Sequence, residues 1–150
     1  MKTNQQLNEY QQADLNGRIK VINKLNPKQY RIKQQPLEAT TDLYLTGYTN
    51  NKEVYYVAEC KDRKFESNKY ETLFCDIKKY YSIIAEAEEE GRIPLYINTF
   101  TDGKALIFNL NNIPTPEKKR IERNETTVED NGKKNTFVYL LTLNNAIVIP

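Results

Sequence analysis

Two carboxylates and a lysine in the first half of the chain have a spacing that suits phosphate chemistry. Asp42 precedes one stretch of alternating apolar residues, and Glu59 and Lys61 end the next stretch, with Asn50-Asn51 between the two. Asn adopts a positive φ more readily than other residues with a side chain, so Asn50-Asn51 predicts a two-residue hairpin turn. A hairpin centred there places Asp42 opposite Glu59, and the alternation of side chains along a strand places Lys61 on the same face.

This pairing brings two like charges together. Directly opposed Cβ atoms lie about 4.5–5.5 Å apart, so two carboxylates repel each other there unless a positive charge lies between them. Mg²⁺ accepts sites of one or two carboxylates completed by waters and a phosphate. We therefore expect a divalent cation, Mg²⁺ or Mn²⁺, at Asp42 and Glu59, with Lys61 able to reach a water on that cation.

The chain contains no histidine. This excludes Ser-His-Asp triads, His general bases, zinc fingers and His-ligated metal centres, so the chemistry must use carboxylates, Lys, Tyr, Cys or a metal. The two cysteines, Cys60 and Cys75, fit a reducing compartment better than a disulfide framework. The Cys60 side chain is predicted to point away from the charged face, as a small buried hydrophobe.

At these residues the sequence resembles the PD-(D/E)XK nuclease superfamily. The resemblance rests on Asp42, on Glu59-Cys60-Lys61 at the end of an apolar strand and on the amphipathic helix after it, and it covers about residues 4–112. Thr41 stands where the superfamily commonly has Pro. The resemblance implies an α/β (mixed α+β) restriction-endonuclease-like fold, with a central mixed β-sheet, flanking helices and an αβββαβ core. Richness in Asn, Lys, Ile and Tyr hints at a phage or bacterial source.

The resemblance also implies an activity, the metal-dependent hydrolysis of phosphodiester bonds, in DNA more often than in RNA. Asp42, Glu59 and the Cys60 backbone carbonyl would hold Mg²⁺, and Lys61 would position or deprotonate the attacking water. The superfamily includes restriction, repair, recombination and junction-resolving enzymes. The chain has no separate specificity domain, which favours a minimal nuclease that finds DNA by shape or through a partner protein. A homodimer would let two sites cut both strands.

Basic residues near the motif are predicted nucleic-acid contacts. Arg63 and Lys64 directly follow it, Lys69 begins the helix predicted next, and Lys78 lies further along that helix. Positive charge at the mouth of a site suits DNA, because many protein–DNA contacts are made to phosphate. The alternative for Arg63 and Lys64 is a polar loop. In the resembled superfamily a basic residue on this helix often leans into the site, and Lys78 or Lys69 would be the match.

Accessory acids are a further expectation from the resemblance, because the first helix of the fold sometimes lends an acid to the site. Glu9 and Asp14 lie on the first predicted helix, and Glu38 lies in the connection before Asp42. The alternative for each of them is a solvated surface acid.

Hydrophobic periodicity predicts the elements that hold these residues. They are a helix over 4–25, a strand over 30–34, the hairpin over 41–62, a helix from Ser67 or Asn68 to about 90, and strands over 93–100 and 105–110. Residues 113–135 are predicted to be a charged loop with a basic cluster at Lys118, Lys119, Arg120 and Arg123. Residues 136–149 predict a C-terminal β-hairpin around Asn144-Asn145.

Composition places the chain among single globular domains. Its 150 residues are 28% charged and 39% hydrophobic, and the net charge is only +2, so nucleic-acid binding must rest on local clusters. No apolar run predicts a membrane span or a signal peptide, so we expect a cytoplasmic protein of a bacterium or a phage-infected cell. The rival hypothesis is a catalytically inactive binding or structural module, in which Asp42, Glu59 and Lys61 are surface charges.

Overall fold

Two helices and two sheets are present in the computed structural model, which describes residues 7–25, 29–124 and 133–150. In chain order the elements are α1 (Glu9–Lys24), β1 (Tyr30–Gln34), β2 (Leu43–Thr49), β3 (Lys52–Asp62), β4 (Thr72–Asp76), α2 (Ile77–Glu90), β5 (Ile93–Thr99), β6 (Ala105–Asn109), β7 (Glu117–Asn124), β8 (Lys133–Thr142) and β9 (Ile147–Ile149). No helix within those ranges is long and apolar enough to cross a bilayer.

The hairpin of β2 and β3 has the predicted turn and register. Asn50 and Asn51 have φ values of 52° and 64°, as a two-residue turn of this type requires. Thr49 pairs with Lys52 at the turn, and Leu43 pairs with Ala58 at the far end. The Asp42 backbone N–H continues the ladder by donating to the Ala58 carbonyl at 3.0 Å. Asp42 and Glu59 are therefore neighbours across the open end of the hairpin.

The larger sheet is mixed and has the strand order β1-β2-β3-β5-β6-β9. β3 and β5 are parallel, with Glu59 beside Tyr96, while the other neighbours are antiparallel. The connection from β3 to β5 contains β4 and α2. The expected central mixed sheet with flanking helices is confirmed.

One helix covers each face of this sheet because the central strands are apolar on both sides. Val21 of α1 and Leu25, which directly follows the helix, pack in one core cluster with strand residues that include Leu43, Leu45, Ala58 and Cys60. Tyr80 and Ile83 of α2 pack in the other cluster with residues of β4, β5, β6 and β8. Cys60 is 4% exposed, as expected of a buried hydrophobe.

The helix predicted from Ser67 or Asn68 is wrong over its first part. Residues 72–76 form β4, and α2 begins only at Ile77, where the Asp76 side chain caps it by accepting from the Lys78 and Lys79 amides. Leu73 and Cys75 are buried whereas Phe74 is 40% exposed, which is the period-two alternation of a strand. Apolar residues at 70, 73, 74 and 77 also fit a helix, and only the pairing of β4 with β8 decides between the two.

The charged loop predicted over 113–135 is found over residues 113–116 but is wrong from residue 117 onward, where the structure describes it. Residues 117–124 form β7, which pairs with β8 in antiparallel register, and residues 125–132 lie outside the described part. Long charged side chains on an edge strand leave no apolar alternation to detect, and charge is a common property of such strands. The strands β4, β8 and β7, in that order, make a second, three-stranded sheet.

The predicted C-terminal hairpin over 136–149 does not form. β8 belongs to the smaller sheet, whereas β9 pairs with β6 in the larger one, and a short 3₁₀ turn over Leu143–Asn145 connects them. Leu141 of β8 is fully buried in the core cluster that also contains Tyr80 and Ile83 of α2. Ile147 of β9 pairs with Ile107 at the edge of the larger sheet. The Asn-Asn pair therefore marks a change of sheet.

Candidate active site

Glu59 is a buried carboxylate whose charge is incompletely compensated. Its side chain is 13% exposed, and its Oε1 lies 3.7 Å from the Lys79 ammonium. Its Oε2 is buried without a hydrogen-bond partner among the described residues. Burial, and then the charge of Asp42, raise the pKa of Glu59 to about 8. An ionised carboxylate in this position requires a further positive charge.

Asp42 is the second buried carboxylate, and protein donors already bind both of its oxygens. Oδ1 accepts from Arg18 Nε at 3.1 Å and lies 2.8 Å from Arg18 Nη2. Oδ2 accepts from the Cys60 backbone N–H at 2.7 Å. Burial raises the pKa of Asp42, although the Cys60 and Arg18 hydrogen bonds act in the opposite direction. A carboxylate offers about four acceptor directions, so Oδ2 retains one.

Arg18 is a residue of the site that the sequence did not single out. It is 1% exposed, and besides Asp42 it donates to the backbone carbonyls of Gln35 and Pro36, while Asp14 lies 3.3 Å from its Nε. The available signal was its spacing, three residues after Leu15 and seven before Leu25, which puts a charge on the apolar face of α1. Arg18 ties α1 to the start of β2 and orients Asp42.

Lys79, rather than Lys78 or Lys69, is the lysine whose ammonium approaches the Glu59 carboxylate. Besides approaching Glu59, its ammonium donates to the Thr40 carbonyl at 3.0 Å. Two turns later on the same face of α2, Glu86 accepts from the Thr41 hydroxyl. These contacts hold the first half of α2 beside the open end of the hairpin. Lys78 and Lys79 are adjacent in the sequence, so the observed start of α2 was needed to decide which of them faces Glu59.

Lys61 is exposed, two residues beyond Glu59 on the same face of β3. Its charge, together with the larger effect of Lys79, lowers the pKa of Glu59 against the effects of burial and Asp42. The structure thus brings the charges of Asp42 and Lys61 within electrostatic reach of Glu59.

Glu59 and Lys61 border a cavity of about 640 Å³ between β3 and β5, the first turn of α2 and the smaller sheet. Cationic and acidic side chains of its lining are Lys61, Arg63, Lys78, Lys79, Glu59, Asp76 and Glu122. The rest is mainly apolar, from Phe74, Tyr96, Ile121 and Val138, with Ser82. A polyanion entering this cavity meets cations close to the Glu59 carboxylate.

The other predicted nucleic-acid contacts have different surroundings. Arg63 is half-buried, and it donates to Asn98 Oδ1 and the Phe74 carbonyl, both at 2.7 Å, and to the Tyr96 hydroxyl at 3.0 Å. It therefore clamps β4 to the larger sheet. Lys64 is exposed and pairs with Asp62 at 3.3 Å. Lys69 does not begin a helix as predicted, because it lies in the segment before β4. It is exposed there and borders a neighbouring cavity.

The predicted accessory acids Glu9 and Glu38 are both exposed. On α1 it is Asp14, more than a turn after Glu9, whose charge raises the pKa values of both Asp42 and Glu59. Asp14 is thus the α1 acid that the structure brings to the site.

The donor set suits a hard divalent cation, although it is small. Among the described residues, no group of three or more His, Cys, Asp and Glu side chains converges as a metal cluster. Mg²⁺ needs only one or two carboxylates when waters and substrate phosphate complete its shell. The orphaned Glu59 Oε2 and the spare acceptor direction of Asp42 Oδ2 meet that requirement.

Comparison with known proteins identifies the fold. No family model and no curated protein matches the sequence. The structure is similar to that of Archaeoglobus fulgidus Hjc, a Holliday junction resolvase from an archaeal hyperthermophile, with a TM-score of 0.53 and 12% sequence identity over 84% of this chain and 83% of that one. The chain has the restriction-endonuclease-like fold.

Within the restriction-endonuclease-like fold, the predicted αβββαβ core corresponds to α1, β1, β2, β3, α2 and β5. The smaller sheet of β4, β8 and β7 is an addition to that core. It stands beside the cavity at Glu59 and supplies Phe74, Asp76, Ile121, Glu122 and Val138 to the lining.

Proposed function

We propose that this protein is a divalent-metal-dependent nuclease that hydrolyses phosphodiester bonds in DNA. The observation that carries the proposal is Glu59, a carboxylate with a buried oxygen that has no hydrogen-bond partner within the described part of the chain, and with a pKa raised to about 8 by burial and by Asp42. Strongly perturbed acids beside a charged cavity are a common property of active sites. A fold shared with a Holliday junction resolvase supports DNA as the substrate.

The proposed ligands of the cation are the Glu59 carboxylate, Asp42 through Oδ2 and the Cys60 backbone carbonyl. Bound Mg²⁺ or Mn²⁺ would supply an acidified water and neutralise negative charge on the phosphate. Arg18 holds the Asp42 carboxylate in one orientation, and the Cys60 N–H fixes its second oxygen. Asp14 adds negative charge to the same site.

Lys61 is the proposed catalytic lysine. Lys61 borders the cavity beside Glu59, where its ammonium would donate hydrogen bonds to the attacking water and to a non-bridging phosphate oxygen. Lys79, 3.7 Å from Glu59 Oε1, keeps part of the negative charge compensated when the site is empty of substrate. Lys64, Lys69 and Lys78 are proposed phosphate contacts further out, and a homodimer would let two sites cut both strands. A partner protein would instead recruit the nuclease to its DNA.

A second candidate function is a catalytically inactive nucleic-acid-binding or structural module of the same fold. It is favoured by the occupation of both Asp42 oxygens by protein donors and by the Lys79–Glu59 ion pair. In this case the internal cations replace the metal, and the cavity binds DNA without cutting it.

The test is cleavage of labelled single-stranded, duplex and branched DNA with Mg²⁺ or Mn²⁺. Lys61→Ala is compared with wild type and with Lys52→Ala, which removes an exposed lysine from the other end of the same strand. We expect Lys61→Ala to lower the cleavage rate by roughly 10²–10⁴-fold, and Lys52→Ala to leave it unchanged.

Cleavage that persists in Lys61→Ala would contradict the assigned role of the lysine. Absence of cleavage on every substrate, with DNA binding retained, would favour the inactive module. Metal binding is read separately, as a Mg²⁺-dependent rise in the free energy of unfolding that Glu59→Gln abolishes.

A further inference from the structure

The smaller sheet turns one face toward the site and the other toward the core. In an antiparallel sheet, directly opposed residues share a face, so the pair of Phe74 with Leu140 belongs to the face opposite that of Cys75 and Tyr139. Cys75 is buried in the core against α2. Phe74 borders the cavity at Glu59 and is 40% exposed. The face that carries Phe74 is therefore a wall of the site.

A second cavity continues along this wall away from Glu59. It measures about 610 Å³ and shares Arg63 and Phe74 with the cavity at the site, so the two adjoin at these residues. Its lining includes Lys69, Tyr70 and Lys119. Together the two cavities form a groove that begins at Glu59 and Lys61 and extends past Phe74 to Tyr70, and we refer to it as the extended groove.

The extended groove combines exposed aromatic rings with lysines. Tyr70 is 50% exposed, and its ring is held by an edge-to-face contact with Phe65, with centroids 4.9 Å apart. The Lys69 ammonium lies 5.5 Å from the Tyr70 ring, and the Lys119 ammonium lies 6.0 Å from the Phe74 ring. Two exposed rings, each with an ammonium beside it, give base-stacking positions next to phosphate-binding positions.

Such rings select unpaired bases. The faces of bases inside a duplex are stacked on one another, so a side chain on a groove wall can stack on a base only where the strand is single. The lining of the extended groove also contains acids, Glu71 in the second cavity and Glu122 in the cavity at the site. DNA binding in the second cavity must therefore come from stacking as much as from charge.

We propose that the extended groove binds a single-stranded segment of DNA and leads it to the site. Bases stack on Phe74 and Tyr70, and Lys69 and Lys119 contact the intervening phosphates. The inference rests on the proposed function and deepens it, because the substrate becomes DNA with an unpaired strand beside the scissile bond.

The test is the affinity of labelled DNA, measured by fluorescence anisotropy with a chelator present so that nothing is cut. The probes are an oligothymidylate, an oligouridylate, a blunt duplex and a duplex with a single-stranded tail. Tyr70→Ala and Phe74→Leu remove one ring each, and the leucine keeps apolar bulk in β4 so that the strand still packs. Tyr10→Ala is the matched control, because Tyr10 is 57% exposed on α1.

We expect the wild type to bind the oligothymidylate and the tailed duplex more tightly than the blunt duplex. Each groove variant should weaken binding of the single-stranded probes by roughly 5- to 150-fold, with little effect on the blunt duplex and none from Tyr10→Ala. Unchanged circular dichroism would show that the variants are folded. Preference for the blunt duplex, equal binding by wild type and both groove variants, or tighter binding of an oligouridylate would overturn the proposal.

The two proposals fail in distinguishable ways. Metal-dependent cleavage that requires Lys61 but is unchanged by Tyr70→Ala and Phe74→Leu would support the nuclease and reject the role proposed for the extended groove. Single-strand binding that requires the rings, without cleavage of any substrate, would support the extended groove and reject the nuclease.

Discussion

The Arg18–Asp42 pair provides a direct test of how the candidate site is held together. The Arg18 side chain is 1% exposed and that of Asp42 is 4% exposed, with Nη2 2.8 Å from Oδ1. Replacing Arg18 by Met keeps a long side chain on the apolar face of α1 but removes the charge. Asp42 then keeps only the Cys60 N–H as a donor among the contacts described above, and the Gln35 and Pro36 carbonyls lose theirs.

The magnitude follows from burial. Removing one partner of a buried ion pair leaves an uncompensated charge and costs about 3–5 kcal/mol. That is a large part of the 5–15 kcal/mol by which domains are typically stable. The exposed pair of Arg31 with Glu53, with side chains 67% and 41% exposed, is the matched control. Arg31→Met should cost less than about 1 kcal/mol, because solvent screens such a pair.

The assay is urea denaturation at neutral pH, followed by circular dichroism and tyrosine fluorescence, with the m-value checked for constancy. Burial already raises the pKa of Asp42, and loss of the Arg18 charge raises it further. A raised folded-state pKa means that stability is retained at low pH and lost as pH rises through that value. The deficit of Arg18→Met should therefore shrink in acid. The double variant Arg18→Met/Asp42→Asn should recover much of the loss.

The reasoning is refuted if Arg18→Met costs no more than Arg31→Met at neutral pH. It is equally refuted if the cost is large but is not reduced by acid or by Asp42→Asn. Either result would mean that the Asp42 charge does not depend on Arg18.

Two further predictions concern Glu59 and the glycines. The pKa of Glu59 is about 8 against an ordinary value of 4.5, so the metal-free protein should lose stability as pH rises between these values, by at most about 5 kcal/mol. In urea titrations with a chelator, Glu59→Gln should flatten this pH dependence, whereas Glu38→Gln, at an exposed residue, should not. Parallel curves of stability against pH for wild type and Glu59→Gln would contradict the raised pKa of Glu59. Gly91 ends α2 at φ 64°, so Gly91→Ala should cost about 1 kcal/mol although nothing lies within 4 Å of its new Cβ. Gly17 lies inside α1, and a Cβ added there would have its nearest contact with Asp62 at 3.4 Å, so Gly17→Ala should instead stabilise the protein by up to about 1 kcal/mol. Thermal melts in which both alanine variants shift the melting temperature in the same direction would show the backbone argument to be wrong.

Much of the site's framework could be predicted from the sequence because it depends on local rules. The turn at Asn50-Asn51 sets the register of β2 and β3, and register together with alternation brings Glu59 opposite Asp42. The same alternation predicts that Cys60 is buried on the other face, as observed. Each of these inferences uses residues that are close in the chain and a period that the backbone imposes.

Tertiary structure alone decided the rest, because it depends on partners far away in the chain. Whether residues 72–76 are helix or strand depends on β8, more than 60 residues later. The places of β7 and β9 likewise depend on pairing with β8 and β6, which no local pattern specifies. The same distance explains the missed side chains, since Arg18 acquires its role from Asp42 and Lys79 acquires its role from Glu59. A sequence pattern predicts which face of its element a side chain lies on, and only tertiary packing determines which residues that face contacts.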